Sequence, residues 1–146
     1  MKLSGHGQAR ILSSAEIELL FREGLKTDRD RALFGFCLYT GCRIGEACSM
    51  NTIDTYDVQG VRSELLIRKG NTKGKQGTRA IPPHTELVKL LEVYRPSSGK
   101  VYLFPGRHGR GHINPLSADA ILRLACANTQ LVGVIGVLTK KLRKAE

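Results

Sequence analysis

The chain has 146 residues, of which 41% are hydrophobic and 25% charged, so it fits one globular domain rather than a disordered or fibrous protein. Its formal net charge of +10 is uneven, because residues 1–59 hold seven Lys or Arg against eight Asp or Glu, whereas residues 60–146 hold sixteen against five. This asymmetry predicts a polyanionic partner, most often a nucleic acid, although a merely basic protein would show the same excess.

The chain begins with a polar, glycine-containing segment, residues 1–10, which we interpret as a flexible arm or the remnant of a linker. Ser13, followed by Glu16 three residues later, is a capping-box pattern and predicts the start of a first helix. A second helix is predicted from Thr27 to Gly41. Its apolar residues lie on more than one side, which is typical of a helix buried at the centre of a bundle.

A short third helix is predicted directly after Gly41, with Arg43 in its first turn. The positive end of a helix dipole repels a cation, so an arginine there does not serve helix stability. The N–H groups of a helix start do suit a phosphate, and an arginine beside them can add a bidentate grip on the same anion. Glu46, one turn later, is expected to hold the Arg43 guanidinium in place. The alternative is a surface arginine after a helix–turn–helix corner.

A β-hairpin is predicted between residues 65 and 82, because two strand-like segments flank a loop rich in Gly and Lys. Lys69, Lys73 and Lys75 lie in this loop, where their side chains can reach outward. The alternative is that these lysines only discourage edge pairing with other strands. The segment 52–57 is also strand-like. Together the patterns predict an α+β fold, mainly helical, with a small antiparallel sheet of about three strands.

A fourth helix is predicted over residues 85–94, and a basic loop between Gly106 and His112 follows it. Two Arg, two His and three Gly in this loop suit a flexible strip along a backbone of phosphates. The two histidines lie in a loop rather than on a helix, so no metal site is predicted there. A last helix is predicted from Ser117, with Leu124 among its buried residues. The residues assigned to contact with nucleic acid are Lys69, Lys75, Arg79, Arg107, His108, Arg110 and His112.

The four cysteines, Cys37, Cys42, Cys48 and Cys126, form no Cys-x-x-Cys pair and have no histidine nearby, so their spacing does not fit a zinc site. Cysteine in a helix usually behaves as a small buried hydrophobe. We therefore predict four reduced core residues in a cytoplasmic protein. No signal peptide is evident, and the longest apolar run, Leu131–Leu138, is far too short to cross a membrane.

Several of these segments together resemble the tyrosine recombinases, or phage integrases. The stretch from Thr40 to Glu46, Thr-Gly-Cys-Arg-Ile-Gly-Glu, is similar to their first arginine box. Lys73, in a hairpin that ends with Thr-Arg-Ala-Ile-Pro at Pro82, is similar to their hairpin lysine and its exit strand. The piece Leu103–Gly106 and the helix after it resemble the middle region of the family. Residues 11–126 thus carry the resemblance through the order and spacing of three separate features.

The resemblance implies DNA strand cleavage and rejoining through a 3′-phosphotyrosyl intermediate, without a metal or nucleotide cofactor. In that chemistry Arg43 would bind the scissile phosphate and Lys73 would protonate the leaving 5′ oxygen, with Lys75 as the alternative lysine. The nearest match to the family's second arginine box places Arg143 as the second arginine and Lys140 at the usual histidine position. The partner implied is double-stranded DNA, bound by a tetramer in a full-length relative.

The family's nucleophilic tyrosine lies beyond the second arginine box. We therefore expect residues 11–146 to be an incomplete catalytic domain, truncated, frameshifted or shortened, that neither cleaves nor rejoins DNA. Two other functions fit the sequence: a DNA- or RNA-binding module without catalysis, and a structural fragment that forms a homodimer through the apolar segment 131–138. The tyrosines of this chain, which all precede the box, are Tyr39, Tyr56, Tyr94 and Tyr102.

Overall fold

The computed structural model describes residues 12–68 and 77–130. Within these ranges the chain is mainly helical, with short strands between the third and fourth helices, which confirms the α+β class. No helix in this part of the chain combines the length and the apolar character needed to span a membrane. The helices are α1 (Ser14–Leu19), α2 (Asp28–Thr40), α3 (Ile44–Cys48), α4 (Thr85–Tyr94) and α5 (Pro115–Asn128). The strands are β1 (Tyr56–Asp57), β2 (Gly60–Val61), β3 (Leu65–Ile67) and β4 (Arg79–Ile81).

Helix α1 begins with the predicted capping box. The Ser13 hydroxyl accepts the Glu16 N–H at 3.1 Å, and a Glu16 carboxylate oxygen accepts the Ser13 N–H at 2.9 Å. The helix continues as a wider π-helical turn, Leu20–Gly24, which packs against α5. Gly24 permits this contact, because a Cβ atom at that position would lie 2.9 Å from the carbonyl oxygen of Ala125.

Helix α2 is buried along most of its length, as its two-sided apolar pattern predicted. The Thr27 hydroxyl caps its start by accepting the Asp30 N–H at 3.1 Å, and Gly41 ends it in the left-handed conformation with φ 74°. The helix packs against α4 at the centre of the core. All four cysteines are free and buried, which confirms them as core residues. The largest fully buried side chains are Leu20, Leu25, Leu33, Phe34, Phe36, Leu65, Ile67, Leu87, Leu91, Tyr94, Leu103 and Phe104.

The strands form two antiparallel sheets of two strands each, where the sequence predicted one sheet of about three. In the predicted hairpin, β3 and β4 pair with Ile67 opposite Arg79. The difference arises because Thr52–Asp54 is a 3-10 turn, and only β1 is extended in the segment 52–57. Asn51 favours that turn: its side-chain amide donates to the Asp54 carboxylate at 3.0 Å, and its carbonyl accepts the Asp54 N–H at 3.1 Å.

Helix α5 begins two residues earlier than predicted. A side-chain oxygen of Asn114 accepts the Leu116 N–H at 2.7 Å, and Pro115 fills the first helical position, where a missing N–H costs nothing. Leu124 was predicted to be buried, but it is 63% exposed. The reason is the helical period: Leu122, which lies about 200° away around the helix, faces the core.

Candidate active site and nucleic-acid interface

Arg43 lies at the junction of α2 and α3. It is the N-cap residue of α3, in extended conformation with φ −76° and ψ 155°. The sequence predicted Arg43 in the first turn of this helix, and the structure places it immediately before that turn. Its backbone N–H donates to a carboxylate oxygen of Glu46 at 3.0 Å. Arginine has no side-chain acceptor for a return bond, so this is half of a capping box. The exposed Arg43 side chain is thereby available to an anion at the start of α3.

Local hydrogen bonds fix the corner that precedes Arg43. The Thr40 hydroxyl donates to the Phe36 carbonyl at 2.7 Å and accepts the Cys42 N–H at 3.1 Å. Cys42 is buried, and the left-handed Gly41 turns the chain between them. The corner therefore holds its own backbone in the core while Arg43 points to the surface.

Glu46 connects the arginine box to the hairpin. Only 3% of its side chain is exposed, and the oxygen that accepts the Arg43 N–H also accepts Nη2 of Arg79 at 2.7 Å. The sequence predicted that Glu46 holds the Arg43 guanidinium; in the structure its carboxylate binds the Arg43 backbone and the side chain of a different arginine. A charge-assisted hydrogen bond of this length is strong, so α3 and β4 are firmly joined.

Arg79, predicted as a contact to nucleic acid, lies on β4 at the base of the hairpin. Its side chain is 39% exposed, but its Nε atom is buried and has no hydrogen-bond partner. A buried N–H without an acceptor costs about 1–3 kcal/mol. The ion pair with Glu46 offsets that cost, and it holds the guanidinium against the start of α3.

A second ion pair anchors the other strand of the hairpin. Nε of Arg68 lies 2.7 Å from Oδ2 of Asp54, and Nη2 lies 2.9 Å from Oδ1, which is a bidentate pair. Asp54 is 3% exposed, and the hydrogen bonds from Arg68 lower the pKa of its carboxyl group. Sequence reasoning missed both pairs. One arginine flanks each side of the lysine loop, but no local pattern assigns either of them to Glu46 or to Asp54.

A polar crevice of about 250 Å³ adjoins these two ion pairs. Glu46, Asp54 and Arg68 line it together with Tyr102. The Tyr102 ring also meets the ring of His112 edge-on, with 5.2 Å between centroids. Tyr102 of the crevice therefore contacts His112 of the basic loop.

The basic loop forms one wall of a larger open cleft of about 680 Å³, which also includes the start of α5. Four predicted nucleic-acid contacts come together in its lining: Arg107, His108, Arg110 and His112. Arg29, on α2, adds a fifth cationic or titratable side chain that the sequence did not single out, because it is far from the loop along the chain. This concentration of donors on one open surface suits the phosphates of a nucleic acid.

The other predicted site residues lie outside the described residues. The described part of the site therefore consists of Arg43, its support by Glu46 and Arg79, the polar crevice and the basic cleft. The predicted residues outside it are Lys69, Lys73, Lys75, Lys140 and Arg143.

Two of the four tyrosines, Tyr56 and Tyr94, are placed for packing rather than for attack on a phosphate. The Tyr94 hydroxyl donates to the Leu103 carbonyl at 2.8 Å, the Tyr56 hydroxyl donates to a backbone carbonyl of α4, and burial raises the pKa of Tyr94 to about 12. Tyr39 is half-buried, and its ring stacks on that of His84 with 4.6 Å between the centroids. Tyr102 alone among the four lines the crevice beside Glu46.

Comparisons with known proteins agree with this fold. Residues 10–143 match the model of the phage integrase family. Among solved structures, the chain is similar to one described as a crystal structure of XerA recombinase, with a TM-score of 0.72 and 22% sequence identity. The match covers 92% of this chain and 50% of the other, so this chain spans about half the length of that protein, and the similarity shows a shared fold. No curated protein matches the chain.

Proposed function

Because the chain belongs to the phage integrase family, we propose that it acts on double-stranded DNA as the catalytic domain, residues 11–146, of a site-specific recombinase. The observation that carries this proposal is the setting of Arg43. Its side chain is exposed, its backbone is fixed by the buried Glu46, and Tyr102 of the crevice beside that carboxylate contacts His112 of the open basic cleft. The proposed DNA contacts both the basic cleft and Arg43 at the start of α3.

The proposed chemistry is cleavage and rejoining of a DNA strand through a phosphotyrosine. Attack on a phosphodiester builds negative charge on its non-bridging oxygens, which two arginines, Arg43 and Arg143, would neutralise. Lys73 would protonate the leaving 5′ oxygen, and Lys140 would donate a hydrogen bond to the phosphate in the position of the usual histidine. We propose no metal or nucleotide cofactor, because a covalent intermediate on the protein conserves the energy of the bond.

The basic cleft supports backbone contacts to DNA more than sequence readout. Arg107 and Arg110 come from a glycine-rich loop, and arginine donors on such a loop fit phosphates without selecting bases. We extend the surface to Lys69 and Lys75 of the hairpin loop, and we place the protein in the cytoplasm because its cysteines are free. Association through residues 131–138, and a tetramer on DNA for a longer relative, stay predictions.

We further propose that these 146 residues bind DNA without cutting it. Tyr56 and Tyr94 use their hydroxyls within the core. In-line attack needs an oxygen about 3 Å from phosphorus, which a hydroxyl bound to a core carbonyl cannot supply. These two tyrosines are therefore not the proposed nucleophile, and this supports the non-catalytic DNA-binding module as the second candidate function.

A nicked suicide DNA substrate tests the proposal. We expect salt-dependent binding, no covalent protein–DNA band on a denaturing gel, and weaker binding for Arg43→Ala. The matched control is Arg22→Ala, which removes an exposed arginine paired with Glu23 on the turn after α1 and should leave binding unchanged. A covalent band that disappears in Tyr102→Phe would show that this domain does hold a nucleophile. Concentration-dependent dimers without DNA affinity would favour the self-associating fragment instead.

A further inference from the structure

We propose that Arg79 is a positioning residue for Arg43, acting through Glu46, rather than a residue that contacts DNA. The inference rests on the proposed function of Arg43 as the phosphate-binding arginine. In this proposal, strand β4 at the base of the hairpin helps to set the backbone geometry at the start of α3.

The coupling runs through a single oxygen atom. Oε1 of Glu46 accepts the Arg43 N–H at 3.0 Å and Nη2 of Arg79 at 2.7 Å. The direction of the Arg43 side chain follows from its extended backbone at the N-cap, and the Glu46 carboxylate helps to fix that backbone. When the guanidinium of Arg79 is removed, the carboxylate loses a strong charged donor that helps to orient it. The Arg43 N–H then loses a fixed acceptor, and the backbone from which the Arg43 side chain extends is held less firmly.

The donors of Arg79 are poorly disposed for a direct grip on DNA. Nη2 is committed to Glu46, and Nε is buried without a partner. An arginine binds a phosphate best through two parallel N–H donors, and on the edge of this guanidinium formed by Nε and Nη2 one donor is buried and the other binds Glu46. The arginines of the basic loop carry no comparable commitment to a buried carboxylate among the described residues.

The support beneath Arg79 is rigid, as a positioning residue requires. Its backbone pairs with Ile67, whose side chain is 1% exposed in the core. Leu65, also fully buried, pairs with the far end of β4. The strand therefore cannot shift without disturbing the core, and Arg79 transmits that fixed position to Glu46.

The chain offers a matched control for the test. Arg68 leaves the same hairpin from the neighbouring strand and also pairs with a 3% exposed carboxylate, that of Asp54. Asp54 makes no described bond to Arg43. Arg68→Met therefore removes an equivalent ion pair and loosens the same hairpin without touching the link to Arg43, whereas Arg79→Met breaks that link.

The first measurement is the ¹⁵N–¹H spectrum of the free protein, with the Arg43 amide as the reporter. We expect Arg79→Met to move the Arg43 resonance and to speed its hydrogen exchange, and Arg79→Lys to restore part of both. Arg68→Met should leave the Arg43 amide in place. An unmoved Arg43 amide in Arg79→Met, or an equal movement in Arg68→Met, overturns the proposal. Should Arg79→Met fail to fold, Arg79→Lys against Arg68→Lys decides the same comparison.

The second measurement is a double-mutant cycle on DNA affinity with Arg43→Ala. If Arg79 acts through Arg43, Arg79→Met lowers affinity about threefold or more in the wild-type background and has no further effect in Arg43→Ala. A direct contact would instead lower affinity in both backgrounds and reduce the salt slope by about 0.9 in each, which overturns the proposal. If the wild-type chain fails to bind DNA, the proposed function falls, while the amide measurement still decides whether Arg79 positions Arg43.

Discussion

At the scale of single residues, the two buried carboxylates at the base of the hairpin do different work. Glu46 joins an arginine side chain to a backbone N–H, whereas Asp54 receives a bidentate arginine and an asparagine amide. The first pair is next to the proposed phosphate site. The second serves the fold, so its removal should appear in stability.

We predict that Asp54→Asn lowers the free energy of unfolding by about 2 kcal/mol, because hydrogen bonds between charged groups contribute about 1.5–3 kcal/mol. Urea unfolding followed by circular dichroism measures the change. The control is Asp57→Asn, an exposed residue whose side-chain oxygen accepts the Gln59 N–H, a bond that asparagine can keep. A loss in Asp57→Asn as large as that in Asp54→Asn would contradict this role for the Arg68 pair.

The same pair predicts a pH dependence. Arg68 lowers the pKa of Asp54 in the folded protein, so the stability it adds is complete above the unfolded pKa of about 3.9 and is lost as pH falls through the folded pKa. The stability difference between wild type and Asp54→Asn should therefore be constant near neutral pH and shrink below about pH 4. A difference that stays constant into that acid range would mean that the charge of Asp54 contributes nothing.

The limits of sequence reasoning at this scale are visible in Glu46. Its position one turn after Arg43 predicted a bond to the Arg43 guanidinium, whereas the bond in the structure is to the Arg43 backbone N–H. Its second partner, Arg79, is 33 positions away, and no local pattern specifies which distant side chain reaches a buried carboxylate. Arg29 was missed in the basic cleft for the same reason.

At the scale of elements, the sequence predicted best where the signal was local. The capping box at Ser13, the glycine after α2 and the paired segments of the hairpin were all read from neighbouring residues. The errors came where competing local bonds or tertiary packing decided the outcome. Asn51 turned a strand-like segment into a 3-10 turn, and Pro115 started α5 early.

Two glycines give a paired prediction about helix packing. Gly24→Ala should destabilise the fold by about 1–3 kcal/mol, because its Cβ would lie 2.9 Å from the carbonyl oxygen of Ala125 on α5. Gly45→Ala should stabilise it by about 0.5–1 kcal/mol, because it lies in α3 with nothing within 4 Å of the added Cβ. Thermal unfolding of both variants measures the difference. Changes of the same sign would contradict the close packing of the π-helical turn on α5.

At the scale of the whole molecule, the uneven charge predicts where DNA binding resides. Arg107→Gln and Arg110→Gln should each reduce the slope of log affinity against log salt by about 0.9, the contribution of one phosphate contact. The same substitution at Arg22, on the turn after α1, is the control and should leave the slope unchanged. Titrations of a labelled duplex at several salt concentrations measure it. Equal slopes for wild type and the Arg107 and Arg110 variants would remove the basic cleft from the interface.

The bond between Glu46 and Arg79 also bears on the order in which the protein acquires competence during folding. It joins positions 33 apart, and strands β1 to β3 lie between them. Closing a loop of that length costs chain entropy that only the packing of the strands repays, whereas α2 and α3 form from contacts close in sequence. In a nascent chain, Arg43 is therefore present before the proposed phosphate site has formed, because its backbone gains its fixed geometry only when β4 docks. Before β4 docks, the Arg43 side chain of the growing polypeptide is a positive charge without a fixed position for binding a phosphate.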